Sequence, residues 1–554
     1  MSATVFVVYL LTLHPSVAGG DSGELVVTAY RAEVAHPPGY PLYTLLARLF
    51  TLIPLGSIAW RVNLLSAACD AAAAGLLFAT ARRLTGSRAA AAVAAGLFAF
   101  SPLIWSYAVH AEVFALNNLF GALLLYLALI WDRTRDPRIA YAVAFCLGLG
   151  LTNHHTLVFY GLPLVAWLLL SHDRSLMMPG QLLRLAAAGA IGLLPYLYLP
   201  LAAADATTLS WGDPSTLQGF VDHLLRRDYG TFRLGGEAAT SWTSFATLNA
   251  LYVRSLAANT LVVGLPLAAV GMAAAVGRGG RLLASRGYGA LLLESVAPEG
   301  ILLTRGDLPT NATRYVQVCE GVRPDVVILD QEMMTKRWYI RRARNEHSSI
   351  DFPGQLYHPG EPGGFALADF VARNVRSRAI YLYPDAKSGD ESLRESYELV
   401  PAGMVQRVVA TTEIDAAVIG RVVEGDSWNA LRRAEWPSPD RHGEDTWERV
   451  VLDDYREALH RRGVWLLRRA IARGSTASDL VRARDALLEA AGRYGEAPPW
   501  QVRKNLGLVF AHLAAHEPSA AARAVTEWRA YLASAPADEP DRAAIGQAVD
   551  ELER

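Results

Sequence analysis

Residues 19–41 read GGDSGELVVTAYRAEVAHPPGYP and place Asp21, Glu24, Glu33 and His36 between one apolar run and the next. Ionisable groups so close to lipid are costly, so their presence needs a reason. Asp21 and Glu24 stand three apart, and a helix starting within GDSGEL would carry both on one face. Two readings fit that spacing. As chemistry, carboxylates at a membrane surface act as a general base toward a hydroxyl or help to hold a divalent cation. As structure, Asp21 or Ser22 caps a helix running from Gly23 and Glu24 satisfies its first turn. His36-Pro37-Pro38 then makes a rigid extended turn, because each proline fixes its own φ and biases the residue before it away from the helical region.

Around this stretch the 554-residue chain changes character along its length, although the average is 52% hydrophobic and 19% charged. Apolar runs recur from residue 5 to about residue 276, and charged residues crowd in from Arg278 onward. That pattern predicts a membrane domain followed by a water-soluble part. A net charge of −1 argues against a nucleic-acid partner, since phosphate backbones demand a basic surplus. The three cysteines, Cys69, Cys146 and Cys319, form no disulfide framework and no CxxC pair. Residues 3–17 have the length of a signal-peptide core, but they lack a basic lead and are read as a first membrane helix.

In the apolar half, residues 40–54 are bounded by prolines and carry Arg48, which suits a helix lying at the interface. Spans are expected at 62–84, 89–105, 113–131, 139–151, 156–170, 185–203 and 256–276. Arginines follow alternate runs, which gathers the Asp21 loop, SYAVHAE (106–112), TNHHT (152–156) and the loop around Trp211 on the extracytoplasmic face. A count of about eight spans returns the chain to the cytoplasm near Gly277. Asp70, inside a span, is read as a carboxylate facing the bundle interior or as a functional group; it is left out of the site.

Residues 1–277 are thus expected to form the membrane domain, 278–440 a soluble α/β domain and 441–554 a helical region. In the middle part, ILLT (301–304), VVILD (326–330) and AIYLYP (379–384) alternate with helical segments around 312–319 and 365–375, as a parallel layer would. Asn311-Ala312-Thr313 matches a glycosylation sequon, a short match of little weight. The helical segments 479–493 and 500–515 fit tetratricopeptide-like hairpins or an ordinary bundle.

Across the extracytoplasmic face lie His110 and Glu112, His154 and His155, and a loop bearing Arg226, Arg227, Asp228 and Tyr229. Arginine binds phosphate bidentately, so a carboxylate base with histidines and arginines around one cavity suits transfer from a lipid-linked phosphate sugar. Core hydrogen bonding explains the histidines, and headgroup attraction the arginines, equally well one at a time.

The motifs GGDSGEL (19–25), AHPPGYPLY (35–43), WGDPSTLQGF (211–220), LLRRDYGTF (224–232) and CEGVRPDVVILDQEMMTKRWY (319–339) occur in that order. Together they resemble the transmembrane protein 260 type of protein O-mannosyltransferase, up to about residue 353. The resemblance implies a multi-pass α-helical domain of GT-C type and an inverting enzyme of the endoplasmic reticulum, or of the plasma membrane in a bacterium. It implies dolichyl-phosphate mannose or another polyprenyl-phosphate sugar as donor and Ser/Thr hydroxyls of IPT-type protein domains as acceptors. Carried onto matching positions, Asp21 or Glu24 is the base, with Asp21 favoured, and Glu112 is the second-loop acid. His36, His110, His154, His155, Arg226 and Arg227 line the substrates. No metal ligand set is expected, although a divalent cation fits the carboxylates. The resemblance also implies a lumenal soluble region, in conflict with the span count, and residues 277–291 read as a junction lacking further spans. A GT-C transferase of another lipid-linked sugar, or a non-catalytic scaffold or transporter, are the competing functions.

Overall fold

The structure, a computed structural model, describes residues 1–170, 174–228, 284–415, 418–420, 423–438, 446–495 and 497–553. The expected span 256–276, Tyr229 and residues 277–283 of the junction lie outside them. Contacts divide the chain into two compact units. One comprises Met1–Arg286 with Thr310–Val322 and Lys336–Ile350; the other comprises Gly287–Pro309, Arg323–Thr335 and Asp351–Arg554.

The first unit is helical: α1 (Ser2–Leu11), α2 (Ser22–Arg31), α3 (Pro41–Thr51), α4 (Ile58–Thr85), α5 (Arg88–Ala99), α6 (Pro102–Ala108), α7 (Phe114–Thr134), α8 (Pro137–Leu151), α9 (Leu157–Leu170), α10 (Pro179–Gly192), α11 (Tyr198–Ala204) and α12 (Leu217–Leu224). α4 starts where the Ser57 hydroxyl accepts from the Trp60 amide and stops at Gly86, whose φ of 72° no side chain favours. Its 28 residues reach about 42 Å and the 21 of α7 about 32 Å, enough to cross a hydrocarbon core of about 30 Å. The Asn118 amide on α7 donates to Asp70 Oδ1 on α4 at 3.0 Å, so this fully buried carboxylate faces the bundle interior.

About eight spans were expected, but among the described residues only α4 and α7 are single helices long and apolar enough to cross. α5 and α6 make a pair bent by 66°, and α10 with Leu194–Ala204 one bent by 41°; counting each pair as a span gives four. Both breaks fall beside a proline, Pro102 and Pro195, which a count of apolar residues passes over. α1, α8 and α9 are shorter apolar helices. The first run ends at Leu11 rather than Val17, since the Thr12 hydroxyl bonds back to the Val8 carbonyl and Pro15 follows. α3 is short as expected and exposes Leu45 and Leu49 while burying Tyr43 and Ala47.

The second unit is built on a five-stranded sheet. It contains β1 (Ile301–Thr304), β2 (Val327–Asp330), a separate pair β3 (Leu356–Tyr357) and β4 (Gly364–Phe365), β5 (Ile380–Tyr383), β6 (Tyr397–Ala402) and β7 (Val405–Ala410). The sheet order is β2-β1-β5-β7-β6, with β2, β1 and β5 parallel and the β6–β7 hairpin antiparallel. Every β1 residue is buried, which is why that strand reads as a continuous apolar run without alternation. Beyond the sheet, the helices Trp447–Ala472, Ala477–Gly492, Trp500–Leu513 and Ala520–Ser534 each pack on the next.

Glycines let α8 and α10 approach closely. A Cβ on Gly148 of α8 would strike the Gly189 carbonyl of α10, and one on Gly192 would strike the Phe145 carbonyl, so these backbones touch without intervening side chains. Gly148→Leu is therefore expected to cost at least about 1–3 kcal/mol and to lower the thermal unfolding midpoint in detergent. Gly180→Ala, which opens onto empty space, should leave the midpoint unchanged.

Candidate functional site

The site is nucleated by the turn between α1 and α2 and the turn between α2 and α3. Asp21 occupies the N-cap position of α2, yet its side chain makes no capping hydrogen bond. Capping therefore does not account for this acid. Glu24, one turn in, is buried and accepts twice from one residue: the His36 backbone amide donates to Oε1 at 2.6 Å and His36 Nδ1 to Oε2 at 3.0 Å. The other ring nitrogen, Nε2, donates to the Tyr40 hydroxyl oxygen at 2.9 Å and lies 3.9 Å from Asp21 Oδ2.

The chain reaches this geometry through a turn that few residues could make. α2 ends with Ala32 at φ 60°, and Gly39 takes φ 94° against Leu199 and the His223 ring, where a Cβ would collide with both. Tyr40 then leads into Pro41 at the first turn of α3. Glu33 anchors the same loop: its carboxylate accepts from the Thr207 hydroxyl at 2.8 Å and from the Ser210 hydroxyl, while the Tyr198 hydroxyl donates to its carbonyl at 2.9 Å. This third carboxylate of the opening stretch is thus a structural tie.

Charge follows from these contacts. Burial opposes a charge on His36, but the Glu24 carboxylate beside it outweighs that cost and raises the imidazole to about 9, so the ring is cationic at neutral pH. Burial likewise opposes ionisation of Glu24, and the His36 charge with its two hydrogen bonds overrides it, holding Glu24 below the ordinary carboxylate range. Glu112, in the loop before α7, meets no such partner. Burial, and then the negative charge of Asp21, push it up to about 7, although the Val113 amide donates to its Oε2 at 3.3 Å.

The sequence-predicted residues separate into those drawn together and those not. Asp21, Glu24, His36 and Glu112 feel one another's charge. His154 joins them through Tyr40, on whose ring it stacks at 5.8 Å and 3°, and burial lowers it to about 4, leaving it neutral. Arg226 closes that side, its charge acting on Tyr40, His154 and His155. His155 adjoins the cluster but donates from Nε2 to the Tyr196 hydroxyl oxygen at 2.7 Å, while that hydroxyl donates to the Leu151 carbonyl. His110 packs instead on Tyr107, 5.6 Å between ring centroids, and burial keeps it neutral at about 4. Arg227 pairs with Asp222 at 2.5 Å on an exposed face, and Asp228 pairs with Lys336 at 3.1 Å.

One ligand atom from each of Asp21, Glu24 and His36 lies within 4.8 Å of the others, close enough to share a cation. A ligating imidazole needs a bare nitrogen, so a cation here would compete with the His36 hydrogen bonds to Glu24 and Tyr40.

Two segments from far downstream complete the first unit. Asn311 donates from Nδ2 to the Gly20 carbonyl at 3.1 Å, and a Cβ on Gly23 would meet the Asn311 backbone at 2.8 Å. The amide nitrogen that a glycan would occupy is therefore used in packing, and Asn311 is buried. The helix Arg337–Glu346 meets the loop before α12, where Glu346 accepts from the Thr208 amide at 2.8 Å and Arg342 donates to the Ser210 carbonyl at 3.1 Å. Span counting put these segments across the membrane from Asp21; they share its face. The count treated the runs bent at Pro102 and Pro195 as plain spans and included residues 256–276, which lie outside the described residues. Sequence reading gave no role in the cluster to Tyr40, quoted only within AHPPGYPLY, or to Asn311, read only as a sequon of little weight.

The His36–Glu24 pair fixes a pH signature. His36, raised from its ordinary 6.5 to about 9, adds stability that is complete below about 6.5 and is lost as pH rises through about 9. Glu24, depressed from its ordinary 4.5, adds stability that is present above about 4.5 and is lost as pH falls through its lower folded value. The difference in unfolding midpoint between wild type and Glu24→Gln is therefore expected to peak between about pH 4.5 and 6.5 and to fall as pH rises through about 9. Glu112→Gln has the opposite sign, gaining on wild type as pH rises from about 4.5 to about 7 and levelling off above that.

Two family descriptions match the chain: the N-terminal domain of protein O-mannosyl-transferase TMEM260 over residues 21–177, and TMEM260-associated domain 2 over residues 285–359. The chain is 27% identical to protein O-mannosyl-transferase tmem260 of Dictyostelium discoideum, over 92% of its own length and 78% of that protein. Among solved structures, ArnT from Cupriavidus metallidurans in the apo state aligns over 74% of this chain and 96% of that one, at 15% identity and a TM-score of 0.40. Protein O-mannosyl-transferase TMEM260 of Mus musculus is 34% identical over 82% of this chain and 80% of its own length. With that identity over most of both proteins, this membrane protein belongs to the protein O-mannosyl-transferase TMEM260 family.

Proposed function

We propose that the chain is an inverting glycosyltransferase of GT-C type that moves mannose from dolichyl-phosphate or polyprenyl-phosphate mannose to Ser/Thr hydroxyls of acceptor protein domains, of IPT type by resemblance. The observation that carries this reading is the division of labour in the acid cluster. Both oxygens of Glu24 are taken up by His36, and burial with neighbouring charge keeps Glu112 partly protonated at neutral pH. Asp21 has the most exposed carboxylate of the three, its side chain 45% accessible, and borders the His36 cation.

In that reading Asp21 takes the proton from the acceptor hydroxyl as the new bond to the anomeric carbon forms. The bond to the phosphate oxygen breaks on the opposite face, and the phosphate departs with both electrons. Arg226, on the Tyr40–His154 side, balances the departing charge, and His36 keeps Asp21 ionised and oriented. The Thr310–Val322 and Lys336–Ile350 segments share the Asp21 face, which suits a protein acceptor approaching from that side. The setting is the endoplasmic reticulum membrane in a eukaryote or the plasma membrane in a bacterium.

Transfer of labelled mannose from the lipid donor to an IPT-domain acceptor tests the proposal. Asp21→Asn is expected to lower kcat by about 10²–10⁴-fold, with the donor KM little changed. Arg226→Gln should raise the donor KM and lower kcat together. Full activity in Asp21→Asn would refute the base assignment, and absence of transfer by the wild type from any lipid-linked sugar would refute the function.

A further inference from the structure

The second unit contains a cavity of about 720 Å³, lined by the edge strand β6, the loop that follows β5 and the helix Trp447–Ala472. The residues after the carboxyl end of β5 form part of its wall, and open α/β sheets hold their ligands beyond the carboxyl ends of their strands. From the helix come Arg461, Val464, Trp465 and Arg468, whose spacing puts them on one face. Trp465 is 8% exposed, and its indole N–H is buried with no hydrogen-bond partner, a costly state. The Arg469 guanidinium lies 5.4 Å from its ring centroid and helps to fix the indole. Arg461 meets Glu457 at 3.9 Å, and Arg468 is exposed with no ion pair among the described residues. Every polar group on this wall is a donor.

The strand and loop supply acceptors. Asp385, Glu391 and Glu398 line the cavity and are each partly engaged, Asp385 by the Gln406 amide, Glu391 by Arg394 at 3.0 Å and Glu398 by Arg469 at 3.9 Å. A carboxylate offers about four acceptor positions, so all three keep some of them. Tyr397, half-buried at the start of β6, adds an aromatic ring and a hydroxyl. The lining as a whole carries as many acidic as basic side chains. An anion would suit the helix wall and be repelled by the carboxylates, and a cation would meet the reverse. A neutral ligand whose groups both donate and accept suits both, and hydroxyls do so. Amides do so as well, but β6 offers an extended peptide an interrupted ladder, because Pro401 has no N–H.

We infer that this cavity is a carbohydrate-binding site for a neutral sugar. The Trp465 N–H, Arg461 and Arg468 donate to the sugar oxygens, the carboxylates accept from its hydroxyls, and the Tyr397 ring packs on its apolar face. The volume is that of a small-ligand site. Only the choice of sugar rests on the proposed function, whose product is an acceptor domain carrying mannose; the cavity then retains an acceptor already modified.

Binding of methyl α-mannopyranoside to the full chain in detergent, followed by saturation-transfer NMR, tests the inference. Saturable binding is expected, weakened about 3–10-fold in Trp465→Phe, which keeps a ring and loses the donor. Tyr397→Ala, at a half-buried position, weakens it as well and carries the test if Trp465→Phe does not fold. No saturable binding of the methyl mannoside, glucoside or galactoside, or binding unmoved in both variants, overturns the inference. Tighter binding of inorganic phosphate overturns it in favour of an anion site, and displacement of the sugar by an unglycosylated acceptor peptide in favour of a peptide groove. The two failures are separable: sugar binding without transfer sinks the proposed function alone, and transfer without sugar binding sinks this inference alone.

Discussion

The two hydrogen bonds from His36 to Glu24 are the constraint from which the rest of the first unit can be reasoned. They join a helix start to a proline turn twelve positions later and settle the charge of both partners. Once the pair is formed, the ring's remaining nitrogen is directed at Tyr40 and Asp21, and Tyr40 in turn stacks on His154. A proton on one imidazole therefore organises residues from three separate loops. The cost of burying two charges is offset because each meets the other with good geometry, the condition under which buried ion pairs are tolerated.

Around that pair the loops are fixed by polar ties rather than by apolar packing. Glu33 gathers Thr207 and Ser210, and Ser210 passes the connection to the Val34 amide and to Arg342. Such a network orders the loops around the acid cluster through directional bonds, which a close-packed apolar core does not supply.

Much of the site was legible in the sequence. Asp21, Glu24 and His36 stood out because carboxylates and a histidine in a proline turn are anomalous between apolar runs. Glu112 and His154 followed from sharing a face. What the sequence could not separate was role. Asp21 and Glu24 look equivalent as letters, and only the position of the His36 ring shows that one is occupied and the other accessible. Arg226 and Arg227 are likewise adjacent and indistinguishable until α12 turns one toward the cluster and pairs the other with Asp222. The strands 301–304, 327–330 and 380–383 were readable because buried parallel strands are written as apolar runs. The breaks at Pro102 and Pro195 were misread because hydropathy does not register a bend.

The contact between Gly23 and Asn311 has a consequence for how the protein is made. The two residues are nearly three hundred positions apart, and the turn that presents Asp21 is pressed against a helix synthesised long after it. At about 5–20 residues per second, the ribosome delivers that helix roughly 15–60 s after the loop. Throughout that interval the first loop stands without its cover, its buried acid exposed. The earliest part of the acid cluster to emerge is thus covered only after more than half of the chain has been translated.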